Sequence, residues 1–159
     1  MTTSTHETEI SADPKVPLVR IVREFNAPAE KVFRAHTDPE LLVQWLGPRG
    51  TEMTVDHYDC RTGGSWRYVA GSEGEHGFHG CFHEVRPDDG LIVQTFTYEG
   101  FPDGVALERL LIEDIGDGRS RLTATSLVDS FEGRDAFVAS GMESGVREGY
   151  ERLDEVLAR

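Results

Sequence analysis

The chain has 159 residues, 38% of them hydrophobic, which suits one domain with a single core. Its formal net charge is −13, from 29 acidic and 16 basic residues, so it lacks the concentrated positive surface that binds nucleic acids or anionic membranes. No segment is long and apolar enough to span a bilayer, and the first residues lack the apolar core of a secretory signal. We therefore expect a cytoplasmic protein that binds neither nucleic acid nor membrane.

The beginning of the chain predicts a tail, a strand and two short helices. Residues 1–15 are polar and predict a disordered tail that precedes a domain of residues 16–159. Residues 16–25 are rich in branched apolar side chains and predict the first strand. Two short helices are predicted next, the second with Asp38 as its N-cap and Pro39 at its first position.

Beyond Pro48 the hydrophobic period changes from about 3.6 residues to 2, which is the period of β-strands. Turn signals divide this region into six strands with hairpin-length connections, and such connections join antiparallel neighbours. With the first strand they make a seven-stranded antiparallel sheet in an α+β protein. One face of that sheet needs an apolar cover, and a single long helix at the end of the chain is available.

That closing helix is predicted over residues 141–158. Three glycines, Gly141, Gly145 and Gly149, fall along one edge of its apolar face. Each glycine inside a helix costs about 1 kcal/mol relative to alanine, so their spacing predicts either a close approach or an open space on that side. The apolar arc itself consists of Met142, Val146, Tyr150, Leu153, Val156 and Leu157.

Short motifs follow one another in a distinctive order over residues 18–157. They are FNAP (25–28), TDPE (37–40), WLGP (45–48), DCRTGGSWR (59–67), GCFHEV (80–85), SGMESGV (140–146) and YERL (150–153). In these motifs the chain resembles the START-like (SRPBCC) superfamily, and within it the branch named after the activator of heat-shock-protein ATPase homologue, the AHSA type.

The resemblance implies a helix-grip fold. In that fold a curved, seven-stranded antiparallel sheet wraps around a long C-terminal helix, and two short helices lie between strands 1 and 2. It also implies a hollow between sheet and helix, which in many relatives holds a lipid, a polyketide or another hydrophobic molecule. Many members of the branch have tryptophan at the position of Val146, so the smaller valine implies additional space beneath the helix.

We therefore expect a protein that binds a small hydrophobic molecule, whether a lipid, an aromatic compound or a polyketide-like compound. Pockets for such molecules are mostly apolar with a few polar groups, although aromatic side chains also fill ordinary cores. The predicted ligand-binding residues are Trp45, Trp66, Tyr68, Phe78, Phe82, Phe96, Tyr98, Met142, Gly145, Val146 and Tyr150.

Two other functions remain open. One is a co-chaperone-like module that binds a chaperone through its acidic exterior, and the other is an enzyme that resembles polyketide cyclases or hydrolases. We expect binding rather than catalysis, because the sequence contains no nucleophile elbow, Ser-His-Asp pattern or cofactor motif. No catalytic residue and no cofactor are therefore predicted. A homodimer through an exposed strand edge is a further possible assembly.

Two groups of polar residues are expected to face outward. His79, Cys81 and His83 share one face of a strand, and such residue types are zinc ligands. The apolar residues between them more naturally face the core, so we predict no metal site. Arg23 and Arg109 interrupt apolar strands, and we expect both to point outward. If they pointed inward, they would be suited to holding a ligand carboxylate.

Overall fold

The computed structural model describes residues 6–159, and in them eight strands form one antiparallel sheet. The regions with a period of two residues beyond Pro48 all become strands. The strands are β1 (Glu9–Ala12), β2 (Leu18–Phe25), β3 (Met53–Tyr58), β4 (Ser65–Ala70), β5 (His76–Arg86), β6 (Leu91–Tyr98), β7 (Ala106–Gly116) and β8 (Arg119–Leu127).

The spatial order of the strands is β1-β2-β8-β7-β6-β5-β4-β3. From β3 to β8 each strand pairs with the next in sequence, as short connections require. The early strand β2 then pairs along the last strand, β8, with Leu18 opposite Leu127 and Phe25 opposite Ser120. This pairing joins an early strand and the last strand of the chain in one sheet.

The sheet has eight strands, and the predicted number of seven was wrong. The additional strand is β1, which pairs with β2 and lies inside the segment 1–15 that was predicted to be disordered. Ile10 is the only large apolar residue of β1, so the strand leaves almost no alternating pattern in the sequence. The Arg147 side chain donates a hydrogen bond to the carbonyl oxygen of Thr8, just before β1. Residues 1–5 of the predicted tail lie outside the described residues.

The second helix begins at its predicted capping residue, whereas the first follows Pro28 and has no side-chain cap. Asp38 Oδ1 accepts a hydrogen bond of 2.9 Å from the backbone N–H of Glu40, and Pro39 is the first residue of its helix. In the segment 130–140, predicted to be irregular or briefly helical, Ser130 Oγ caps a helix by accepting from the N–H of Gly133. The helices are α1 (Ala29–Thr37), α2 (Pro39–Leu42), α3 (Phe131–Ala139) and α4 (Met142–Leu157).

The apolar side of α4 joins the main hydrophobic core. Tyr150 and Leu153 are at most 8% exposed, and the Tyr150 ring meets the Phe25 ring of β2 edge-on with centroids 5.6 Å apart. Each large side chain buried in this way stabilises the fold by about 1.5–3 kcal/mol. The same core contains Trp66 of β4 and Phe82 of β5. The helix and the inner face of the sheet are therefore parts of one core.

Arg23 points into the core, contrary to the expectation that it faces outward. Its side chain is only 1% exposed, and it forms two hydrogen bonds of 3.0 and 2.6 Å with the Asp154 carboxylate on α4. It also donates to the carbonyl oxygen of Glu24 at 2.8 Å and lies over the Phe25 ring. Because Asp154 is 131 residues away in sequence, the pattern around Arg23 contains no sign of its partner. Arg109 is exposed, as expected.

Candidate functional site

A cavity of about 400 Å³ lies between the inner face of the sheet and α4. It is lined by inward-facing residues of most strands, by α4, and by the segment that follows α2. Its walls are mainly aromatic and aliphatic side chains, and the polar groups among them are few. The predicted ligand-binding residues found in this lining are Trp45, Trp66, Tyr68, Phe78, Phe96, Met142, Gly145, Val146 and Tyr150.

Two of the predicted ligand-binding residues do not line the cavity. Phe82 is 1% exposed and packs edge-on against the Tyr58 ring at 5.4 Å, so it belongs to the solid part of the core. Tyr98 lies at the end of β6, is 38% exposed, and its hydroxyl is 3.0 Å from His76 Nδ1. Alternation places both side chains on the inner face, but it does not show where along a strand the cavity ends.

Trp45 forms part of the wall nearest α4. Its indole Nε1 donates a hydrogen bond of 2.9 Å to the carbonyl oxygen of Ala35, which ties it to α1. Its ring stacks on the Tyr150 ring, with centroids 6.0 Å apart and planes 23° apart. The Trp45 side chain in this wall is therefore held both by a hydrogen bond to α1 and by stacking on a residue of α4.

One acidic side chain, Glu108 of β7, borders the cavity. Its two carboxylate oxygens accept hydrogen bonds from Gln94 Nε2 at 3.0 Å and from Ser126 Oγ at 3.3 Å. Gln94 and Ser126 are its direct neighbours on β6 and β8 in the strand register. Burial raises the pKa of the Glu108 carboxyl, and the two hydrogen bonds oppose that rise only in part.

Glu108 was missed in the sequence analysis, although a signal for it exists. Inward-facing positions of β7 are Ala106, Glu108, Leu110 and Ile112, so the glutamate is the single charged residue in an otherwise apolar alternating set. A charged residue at such a position is costly unless it has partners. A charged residue at an inward-facing position of an otherwise apolar strand therefore marks a candidate site.

Three tyrosines border the same space. The Tyr58 hydroxyl donates to the carbonyl oxygen of His36 at 2.8 Å. Within residues 6–159, the hydroxyls of Tyr68 and Tyr150 form no hydrogen bond with another protein group. Burial raises the pKa of both hydroxyls, and the negative charge of Glu108 raises them further. Two uncharged hydroxyls thus remain available near the Glu108 carboxylate.

His36 is a buried histidine beside the cavity. Its Nδ1 donates a hydrogen bond of 2.8 Å to the carbonyl oxygen of Val32, and its ring meets the Trp45 ring at 4.8 Å. Burial lowers the pKa of His36 to about 4 from an ordinary value of 6.5, because the charged form loses its hydration. The ring is therefore neutral at physiological pH.

We expect His36 to make the protein sensitive to mild acid. Below pH 6.5 the unfolded chain takes up a proton at this residue that the folded protein accepts only near pH 4, so stability falls as the pH falls. The loss amounts to about 2 kcal/mol at about pH 5. Urea unfolding at about pH 7 and about pH 5 measures it, and His36→Gln should remove this part of the acid loss.

The matched control for that experiment is His83→Gln, because His83 is exposed on β5. It should lose stability in acid as the unchanged protein does. An equal acid loss in the His36→Gln variant would show that another group is responsible.

The three glycines of the closing helix have three different environments. Gly141 precedes α4 with a φ of 89°, a left-handed conformation that favours glycine. A Cβ atom at Gly145 would meet only Pro48 Cδ, at 3.6 Å, so this position has room beside the cavity. A Cβ atom at Gly149 would lie 3.3 Å from the carbonyl oxygen of Trp45, so this glycine permits a close approach.

A second polar cluster lies on the outer face of the sheet. His57 Nε2 is 3.1 Å from Ser65 Oγ, and His57 Nδ1 is 3.3 Å from Asp56 Oδ2, an arrangement of a serine, a histidine and an acid that was not expected from the sequence. The His57 and Asp56 side chains are 48% and 57% exposed. Acyl-transfer triads work where water is excluded and the oxyanion is stabilised, so this exposed cluster is a weaker candidate site than the cavity.

The predicted outward-facing histidines and cysteine lie at the surface. His79 Nδ1 is 3.0 Å from Glu99 Oε2, and Cys81 and His83 are exposed. Across residues 6–159, no three His, Cys, Asp or Glu side chains are grouped so that they could hold a metal ion. None of the helices in this range has the length and apolar character needed to cross a membrane.

The sequence and the fold both have known relatives. The family described as Activator of Hsp90 ATPase homolog 1-like protein matches residues 26–158. No curated protein matches the sequence.

Among solved structures, a crystal structure of a protein from Rhodobacter sphaeroides is 30% identical, with a TM-score of 0.83 over 94% of this chain and 97% of that chain. A solution NMR structure of a protein from Arthrobacter aurescens is 26% identical, with a TM-score of 0.84 over 94% and 91% of the two chains. The crystal structure of the AHSA1 protein from Silicibacter pomeroyi is 23% identical, with a TM-score of 0.71 over 89% and 97%, and it is similar in fold alone.

Proposed function

Because the chain belongs to the family of Activator of Hsp90 ATPase homolog 1-like proteins, we propose that it binds a small, mostly apolar molecule between the sheet and α4 in a helix-grip arrangement. The observation that carries the proposal is the cavity of about 400 Å³ with its aromatic and aliphatic walls. Pockets for small molecules measure roughly 300–1,000 Å³ and have such walls with a few polar groups. The occupant is a lipid, an aromatic compound or a polyketide-like compound.

The ligand-binding residues in this proposal are the nine predicted residues that line the cavity, together with Glu108. The domain that binds comprises residues 16–159, with β1 added to its sheet edge, and it acts in the cytoplasm. Val146 contributes to the proposal because its side chain is small and it lies in the lining. A larger side chain at that point of α4 would occupy part of the space.

The proposal predicts that filling the cavity from α4 prevents binding. Gly145→Leu adds a side chain where a Cβ atom meets only Pro48, so we expect the affinity for an apolar probe to fall roughly tenfold or more. Because leucine favours helices more than glycine does, the melting temperature should stay unchanged or rise. Fluorescence titration with N-phenyl-1-naphthylamine and thermal unfolding measure the two effects.

The matched control is Ser144→Leu, which adds the same side chain one position earlier, where α4 is exposed. It should bind the probe as the unchanged protein does. If Gly145→Leu unfolds the protein, the glycine serves close packing. If it binds the probe with unchanged affinity, the probe is not in the cavity, and the proposal fails.

A co-chaperone-like module is the second candidate, and the family description favours it. Several large apolar side chains are also exposed, among them Phe101 at 67% and Leu107 at 46%. Such a module would act through its surface. Stimulation of the ATPase activity of a bacterial Hsp90 by the protein would support it, provided that the Gly145→Leu variant stimulates equally well. Loss of the stimulation in that variant would favour a role for the cavity instead.

A further inference from the structure

A row of polar side chains crosses the inner face of the sheet at the cavity, with Glu108 at its centre. Glu108 and its two partners lie side by side on three neighbouring strands, with Gln94 on β6 at 3.0 Å and Ser126 on β8 at 3.3 Å from the carboxylate. Ser126 is 8% exposed, and Gln94 and Glu108 are half-buried. Among the residues of the described range 6–159 that line the cavity, Glu108 is the one acidic side chain.

The hydrogen bonds within the protein leave Glu108 with unused capacity. A carboxylate has about four acceptor positions, and Gln94 and Ser126 fill one on each oxygen. The hydroxyls of Tyr68 and Tyr150 border the same cavity, and in the described part of the chain they have no partner for their donors. The site therefore offers a ligand both a strong acceptor and free donors.

A hydroxyl group satisfies both demands, since it donates one hydrogen bond and accepts others. We propose that the molecule bound here is apolar and carries a hydroxyl that donates to the Glu108 carboxylate, and that molecules ending in a carboxylate are excluded. This inference rests on the proposed function, because it concerns the same cavity. It narrows the proposed ligands to neutral, hydroxylated apolar compounds and excludes free fatty acids.

The exclusion follows from charge. A ligand carboxylate beside Glu108 would place two negative charges together in a medium that screens them poorly. Among the described residues that line the cavity there is no lysine, and the buried His36 ring is neutral. The one arginine, Arg109, alternates with the inward-facing Glu108 along β7, so its side chain lies on the other face of the sheet. The buried Arg23 is already bound to Asp154 by two hydrogen bonds. Within residues 6–159, no cationic side chain on the inner face of the sheet is thus free to neutralise a ligand carboxylate.

The test compares three molecules with the same alkyl chain: 1-decanol, decyl methyl ether and decanoate. The affinity of each molecule is measured by its displacement of N-phenyl-1-naphthylamine from the purified protein near neutral pH. We expect decanol to bind roughly tenfold more tightly than the ether, because the ether has no donor for the Glu108 carboxylate and hydrogen bonds to charged groups are the strong ones. Decanoate should also bind roughly tenfold more weakly than decanol, because its charge is repelled by Glu108. Glu108→Gln keeps the shape and removes the charge, so decanoate should gain roughly tenfold in affinity.

The control variant is Glu113→Gln, which makes the same change at an exposed position of β7 and should leave all three affinities unchanged. Equal binding of the three molecules by the unchanged protein would overturn this inference and leave the proposed function intact. Failure to bind the probe and all three molecules would overturn both. If Glu108→Gln fails to fold, the ranking of the three molecules by the unchanged protein decides the question by itself.

Discussion

Replacement of Gly80 by alanine is expected to lower the free energy of unfolding by about 3 kcal/mol, because the added methyl group has no room. An ideal Cβ atom at Gly80 overlaps the carbonyl oxygen of Thr95 on β6 and lies 2.8 Å from Trp66 Nε1. The first obstacle is backbone, which can move only if the pairing of β5 with β6 is disturbed. The second is a side chain that is 2% exposed and therefore has little freedom to shift.

The matched control is Gly77→Ala on the same strand. Its Cβ atom would meet the end of the Glu99 side chain, whose carboxylate is bound to Arg67 and His79 near the surface. The added methyl group there displaces a side chain and no backbone, so we expect a smaller loss than at Gly80. Urea unfolding of both variants, with the slope of the transition checked, measures the difference. A Gly80→Ala variant as stable as Gly77→Ala would mean that the strand relaxes at Gly80, and that the close approach of β6 and Trp66 is not a constraint.

Removal of the Asp154 carboxylate by Asp154→Ala is expected to cost about 3 kcal/mol of stability, because it leaves the buried Arg23 guanidinium without its counter-charge. Arg23 is 1% exposed, and its Nε already lacks a hydrogen-bond partner in the described part of the chain. The Asp154 side chain is 40% exposed, so water can replace part of what is lost. We therefore expect a loss of stability at the lower end of the range that is typical when one partner of a buried ion pair is removed.

The neighbouring residue provides the control. Glu155 forms an ion pair of 2.6 Å with Arg49, but these side chains are 58% and 50% exposed. Exposed ion pairs of that kind contribute little to stability, so Glu155→Ala should be nearly neutral. Urea unfolding compares the two variants on one helix. Similar small losses in both would show that Arg23 finds another partner when Asp154 is absent.

The periodicity of the closing helix predicted the buried residues of its second half, whereas Met142 and Val146 of the same arc are half-buried beside the cavity. Tyr150, Leu153, Val156 and Leu157 of the predicted arc are all at most 9% exposed. A helix of 3.6 residues per turn puts them on one face whatever that face contacts. The use of each glycine was not predictable in the same way, because Gly145 and Gly149 differ only in what lies opposite them.

The charged residues inside the fold show where sequence reasoning ends. Alternation places both Arg23 and Glu108 on the inner face, although a lone charge in an apolar strand is more simply read as facing outward. A charged side chain is stable at an inward position only when it has a partner, and here each partner is distant in sequence. For Arg23 it is Asp154 on α4, and for Glu108 the partners are on the two adjacent strands.

By itself the sequence determined the class of the fold, the order of its main elements and the apolar face of α4, because these depend on local periodicity and capping. Only the tertiary structure decided that Glu9–Ala12 completes an eight-stranded sheet, that Arg23 binds Asp154, and that Glu108 borders a cavity. Each of these depends on strand register and on contacts between distant segments. Their free energy comes from partners that no local pattern specifies.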